Sequence, residues 1–116
     1  LGHNEIGDKG MEHLCNASPQ ITAMDNLSLD NNHIGCKGME YLSNVLSKMT
    51  SLSSLCLAQN FIGDQGVKHL SNAIPKMNVL NFLCLCGNTL VNDGEGAKAL
   101  REAWKVIPRK GACLGN

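Results

Sequence analysis

Asn4, Asn32, Asn60 and Asn88 stand 28 residues apart, and each follows a leucine by three positions: Leu1, Leu29, Leu57 and Leu85. A spacing repeated along a whole chain constrains the fold more than any local propensity does. A period between about 20 and 29 residues with this leucine-asparagine spacing marks a solenoid. Each unit is too small to bury its apolar face alone and stacks on its neighbours instead.

The third unit shows how one repeat divides. Leu52-Ser53-Ser54-Leu55-Cys56-Leu57-Ala58-Gln59-Asn60 alternates apolar and polar residues around Leu55 and Leu57, the period-two pattern of a strand with one face in a core. Asn60 ends the strand, where its amide, both donor and acceptor, can turn inward and satisfy backbone groups of the turn in its own and adjacent units. Repeated every 28 residues, such amides make a ladder. Ile62 follows as a further core residue, and Gly63 permits a turn. Asp64 is then expected to cap a helix whose apolar face is Val67, Leu70 and Ile74. The same string occurs one unit earlier from Met24 to Met49, with Cys36 in place of the aspartate. Half of it opens the chain, from Leu1 through Asn4, Ile6, Gly7 and Asp8 to Leu14. Gly10, Gly38 and Gly66 recur in phase, where a close approach between helix and neighbour is expected to outweigh alanine's better helix propensity.

The last unit departs from the pattern. Thr89 to Gly96 reads as a loop lengthened by two, and a helix from roughly residue 97 to 106 carries Leu100, Trp104 and Ile107 and is stopped by Pro108. Asn116 falls on the 28-residue grid again, but Gly111 and Cys113 stand where leucines belong. A final strand is therefore expected to be at best degenerate, with the Trp104 helix as terminal cap. The chain reads as one domain: a partial repeat 1–23, repeats 24–51 and 52–79, and a terminal repeat with cap 80–116. Starting at the end of a strand, it is expected to be the C-terminal piece of a longer array, whose uncapped end invites self-association.

Composition narrows the function. Hydrophobic residues make up 43% of the 116 and aromatics 3%, so leucine, isoleucine and methionine must pack the core. No run of 18 apolar residues and no signal-peptide pattern occurs, so neither membrane span nor secretion is read here. Ten basic and ten acidic residues cancel, which argues against nucleic acid as partner. The first 31 residues are acidic, with Glu5, Asp8, Glu12, Asp25 and Asp30 against Lys9, whereas the last 21 are basic. Six cysteines at unlike repeat positions make no paired framework, so free thiols and a reducing, cytoplasmic location are expected. No serine-histidine-acid set, carboxylate pair, phosphate loop or nucleotide fingerprint can be assembled. No enzyme activity, cofactor or metal is therefore expected.

The motif Leu-x-x-Leu-x-Leu-x-x-Asn followed by Ile-Gly-Asp-x-Gly and a helix resembles the ribonuclease-inhibitor-like class of leucine-rich repeats, over nearly the whole chain. The resemblance implies an α/β leucine-rich repeat solenoid of 28-residue repeats, with parallel strands on a concave face and helices on a convex face. Such repeats occur in ribonuclease inhibitors, in the sensing regions of NOD-like innate immune receptors and in the activator of the Ran GTPase. The recurring Asn-x-Ile-Gly-Asp-x-Gly turns look most like a NOD-like receptor tail. Few acidic or aromatic side chains are available for ribonuclease inhibition, and no arginine precedes Arg101 to serve as a GTPase activator's catalytic residue.

On this reading a protein or microbial ligand is expected on the concave face. Its outward strand positions form the rows Asn26, Ser54 and Phe82; Ser28, Cys56 and Cys84; Asp30, Ala58 and Cys86; and Asn31, Gln59 and Gly87. Phe82 is the aromatic anchor candidate. Cys56, Cys84 and Cys86 converge as three thiols, but Cys-x-Cys on one strand is no standard zinc spacing, and a Cys56–Cys84 bridge is the alternative under oxidation. His13, Tyr41 and His69 share a repeat position and read as solvated helix residues, with Glu40 near Lys68 as a lateral ion pair.

Overall fold

A computed structural model of the chain describes residues 5–17, 19–88, 94–104 and 111–113. Leu1, Asn4, residues 89–93, Ile107, Pro108 and Asn116 lie outside them, and so do the expectations resting on those positions.

Strand and helix alternate in the order α1 (Gly7–Ala17), β1 (Asn26–Ser28), α2 (Cys36–Leu46), β2 (Ser54–Cys56), α3 (Gly63–Ala73), β3 (Phe82–Cys84), α4 (Glu95–Trp104) and β4 (Gly111–Cys113). Short 3-10 turns at Pro19–Ala23 and Ile74–Lys76 lead out of α1 and α3. The four strands make one parallel sheet in chain order, the arrangement that helical crossovers between successive strands permit. The helices pack in the same order, α1 on α2, α2 on α3 and α3 on α4.

Leu27, Leu55 and Leu83 are paired across the sheet and no more than 2% exposed, while the residues flanking each point away from the core. The ladder runs on past each strand, with Leu29 and Asn31 donating to Cys56 and Ala58, and Leu57 and Gln59 to Cys84 and Cys86. Alternation therefore persists to the asparagines and buries Leu29, Leu57 and Leu85 as a second layer. From the other side α2 contributes Met39, Leu42 and Leu46, and α3 Val67, Leu70 and Ala73. Leu100 and Ala103 come from α4, all at helical spacing on one buried face.

Three expectations need correction. A fourth strand exists: β4 pairs with β3, Leu83 facing Ala112, 29 positions on instead of 28. Pairing to β3 uses backbone N–H and C=O groups, so alanine can occupy the position that leucine holds in the other strands. The Trp104 helix is therefore not the last element. It begins at Glu95, two residues before the expected start, and Trp104 is only half-buried beside the core that Leu100 enters.

The second correction concerns the aspartates. Ile62 holds the N-cap position of α3, and no side chain caps that helix. Asp64 sits inside the first turn, and its Oδ1 accepts from the Gly96 N–H of the next unit at 2.8 Å. Asp8 does the same for Gly35 at 2.6 Å. A carboxylate in a first turn reaches sideways when the next helix packs against it, so the Gly-Asp pair joins units. Of the in-phase glycines, Gly38 serves this approach, since a Cβ there would lie 2.5 Å from Asp8 Oδ1, whereas a Cβ on Gly10 or Gly66 would first meet Ile6 or Ile62 of its own unit at 2.5 Å.

The third correction is the lateral ion pair. Lys68 meets Glu95 at 2.8 Å, and Glu40 meets Lys37 on its own helix at 3.5 Å.

Candidate functional site

The face of the sheet turned away from the helices is built by alternation. Asn26, Ser54 and Phe82 form one row, and Ser28, Cys56 and Cys84 the next, each fixed by the parallel register, which β4 continues through backbone pairing. Asn26, Ser28 and Phe82 are exposed, while Ser54, Cys56 and Cys84 are half-buried. Phe82 is 43% exposed, its partner on β2 being a serine, too small to cover a ring. Half-buried Asp30, Ala58 and Cys86 continue the face beyond the strands, and Ser28 Oγ donates to Asp30 Oδ1 at 2.6 Å.

Asn31, Gln59 and Gly87 close the rows in the left-handed region, with φ of 57°, 56° and 77°. Each reverses the chain just before a ladder asparagine. Asparagine and glycine tolerate that conformation, and the exposed Gln59 holds it against its steric cost.

Behind this edge the buried asparagines Asn32, Asn60 and Asn88 tie unit to unit. Asn60 Oδ1 accepts from the N–H groups of Asn32 at 2.8 Å and Ile34 at 3.0 Å, both in the preceding unit. Asn60 Nδ2 donates to the carbonyls of Leu57 and Leu29, each at 3.0 Å. Asn88 repeats the pattern on Asn60, Ile62, Leu85 and Leu57. Asn32 Oδ1 accepts from Ile6 at 3.3 Å.

The cysteines divide. Cys15, Cys36, Cys56 and Cys84 are free thiols, but Cys86 is disulfide-bonded, which corrects the expectation of free cysteines throughout. A bonded sulfur is no thiolate, so the three-thiol arrangement loses its third member. Burial raises the Cys56 thiol above its ordinary pKa. A hydrogen bond from the Ala58 backbone opposes this, while Cys84 and the Asp30 carboxylate add to the rise.

The outward strand rows do not include two residues that the turns add. His33 and Phe61, one position after successive ladder asparagines, meet edge-on at 5.6 Å with rings 80° apart, and Phe61 is 64% exposed. Their 28-residue spacing was the signal, but it lay beyond the strand positions. On the opposite, helical side a polar groove of about 140 Å³ runs between α2 and α3, lined by Glu40, Ser43 and Asn44 on one wall and His69, Asn72 and Lys76 on the other. Tyr41 in the same row lies under Lys37 Nζ, 5.7 Å from the ring centre, while His13 is exposed.

What this arrangement offers is a rigid, uncharged to weakly acidic sheet face with one aromatic anchor. A family model described as Leucine Rich repeat matches residues 1–15, the segment that enters α1. That match supports a leucine-rich repeat and, with it, a protein-binding repeat module, and the mixed fold with its parallel sheet is compatible with that class. No curated protein matches the chain. Among the described residues no helix is long and apolar enough to cross a membrane.

Proposed function

We propose that this chain is a non-enzymatic recognition module of the ribonuclease-inhibitor-like solenoid kind, binding a protein or microbial ligand on the open sheet face as its concave surface. The observation that carries the reading is the register: it sets Asn26, Ser28, Ser54, Cys56, Phe82 and Cys84 on one surface, with Asp30, Asn31 and Gln59 along its border. Phe82 is the apolar anchor. Asp30, already an acceptor, selects a hydrogen-bond donor or a cation on the partner.

Photo-crosslinkers at Asn26 and Ser54, beside Phe82, test the face against one at Glu40 on the helical side. Partner adducts from the sheet side that disappear in Phe82→Ala support the proposal, and equal capture from both sides defeats it. Four strands at about 4.8 Å spacing span roughly 15 Å, small beside the ~800 Å² per partner of a standard interface. The affinity of this surface alone is therefore expected to be low.

Within that class we assign the chain to a NOD-like receptor, where it senses a ligand or holds the receptor inactive. The Asn-x-Ile-Gly-Asp-x-Gly turns support this, and the disulfide at Cys86 stands against the reducing cytoplasm such a receptor occupies. Two measurements decide it. A phosphate loop, Gly-x-x-x-x-Gly-Lys-Ser/Thr, encoded ahead of the repeats supports the receptor, and a transcript of repeats alone removes it. Protein alkylated at the moment of lysis shows Cys86 as a thiol if the chain lives in a reducing compartment.

A further inference from the structure

Cys56 and Cys84 are direct partners on the neighbouring strands β2 and β3. Both are free and both are half-buried on the open face. Parallel neighbours about 4.8 Å apart fall inside the roughly 4.4–6.8 Å separation of Cα atoms that a disulfide spans, and two side chains on one face of a sheet point the same way. Cys15 offers a contrast. It lies on α1 and packs against the core, away from the open sheet face.

We propose that Cys56 and Cys84 are a reversible disulfide site. It is closed by exchange with a low-molecular-weight disulfide such as glutathione disulfide, and it converts the centre of the sheet face from a dithiol to a bridged surface. In the first step one of the two, as thiolate, attacks a sulfur of glutathione disulfide. The S–S bond breaks, one glutathione leaves as thiolate, and the protein carries a mixed disulfide. The second cysteine loses its proton to water and attacks the protein sulfur of that mixed disulfide. The S–S bond between Cys56 and Cys84 forms, and the second glutathione departs. Two protein thiols are oxidised, one glutathione disulfide is reduced to two glutathiones, and the protons lost by the cysteines are regained by the leaving thiolates. The bond formed lies on an accessible surface, the setting in which disulfides are labile and regulatory instead of permanent. Closing it removes two S–H donors from the row that Ser28 begins, at a strand spacing of about 4.8 Å that a disulfide can span.

This chemistry needs no partner protein, so its test is independent of the recognition reading. The whole chain is incubated with glutathione disulfide, alkylated and cut with trypsin. Peptide 49–68 then holds Cys56, and peptide 77–98 holds Cys84 and Cys86. The expected result is a cross-link between these two peptides, with loss of alkylation at both Cys56 and Cys84 and its return under excess reduced glutathione. Cys84→Ser should abolish the link. Cys86→Ser should keep it, which separates Cys84 from its neighbour two residues on. Exposed Cys36 on α2 reports that the reagent was active by carrying glutathione. If Cys36 is modified while Cys56 and Cys84 stay alkylated, or each carries its own glutathione, the proposal is overturned.

Discussion

At the scale of single residues, the ladder asparagines carry the largest individual responsibility. Asn60 satisfies two buried N–H groups through Oδ1 and the carbonyls of Leu57 and Leu29 through Nδ2; alanine there would remove the partner of both N–H groups and of Leu29, while Leu57 keeps its bond from Asn88. With each unsatisfied buried group costing about 1–3 kcal/mol, partly relieved by local rearrangement, Asn60→Ala should lose roughly 3–5 kcal/mol in urea unfolding. A loss below 1 kcal/mol would mean the turn has other partners for these groups. Gly87 presents a different constraint. Its φ of 77° and the 3.0 Å that a Cβ would leave to Gln59 Cγ both oppose a side chain. Gly87→Ala is expected to cost about 1–2 kcal/mol, while Gln59→Gly, relieving the same conformation one unit earlier, should cost nothing or stabilise slightly. Paired denaturation curves of the two variants check the contrast.

At the scale of elements, contacts between neighbouring units do what caps within a helix do elsewhere. Removing the Asp64 carboxylate should cost about 1 kcal/mol, the usual worth of a capping side chain. The loss should show as faster amide exchange at Gly96, on α4, not within α3. The Lys68–Glu95 pair joins the same two helices but lies in solvent. Their hydrogen bond, then the opposite charge, holds Glu95 below the usual carboxylate range and Lys68 above the usual lysine range. A lowered carboxylate adds stability that fades as pH falls through its folded value. A raised lysine adds stability that fades as pH rises through its own. Neither limb crosses neutrality, so Glu95→Gln should leave the melting temperature at pH 7 within scatter and soften both the acid and the alkaline limb. This layer also marks how far the sequence could be read. Strand, turn and buried helix face were legible in Leu55, Leu57, Asn60, Val67 and Leu70, because burial imposes periods of 2 and 3.6. The direction in which Asp64 reaches was not, since a carboxylate at the second residue of a helix looks the same whether it serves its own turn or the next unit. Strand β4 was hidden for a related reason: a strand held by backbone bonds leaves no apolar signature in Gly111, Ala112 and Cys113. The sheet-face rows followed from alternation and the His33–Phe61 pair from the 28-residue spacing one position past them, whereas the chemical state of Cys86 depended on geometry that spacing does not carry.

At the scale of the whole molecule, the ladder has a direction. Each asparagine oxygen accepts from the unit before it: Asn88 from Asn60 and Ile62, Asn60 from Asn32 and Ile34, Asn32 from Ile6. Damage should therefore travel toward the N-terminus. Asn88→Ala is expected to speed hydrogen exchange at the amides of Asn60 and Ile62 while leaving those of Asn32 and Ile34 protected by Asn60. Equal loss of protection at both pairs would show that the array opens as a single cooperative block, in place of the nearest-neighbour behaviour expected of stacked repeats. The same polarity bears on how the protein is made. A ribosome releases the chain from its N-terminus at about 5–20 residues per second, so the asparagine that completes one turn emerges 28 residues, or roughly a few seconds, after the turn itself. During synthesis every unit waits with its turn amides open until its successor arrives, and each newly made repeat finishes the one made before it.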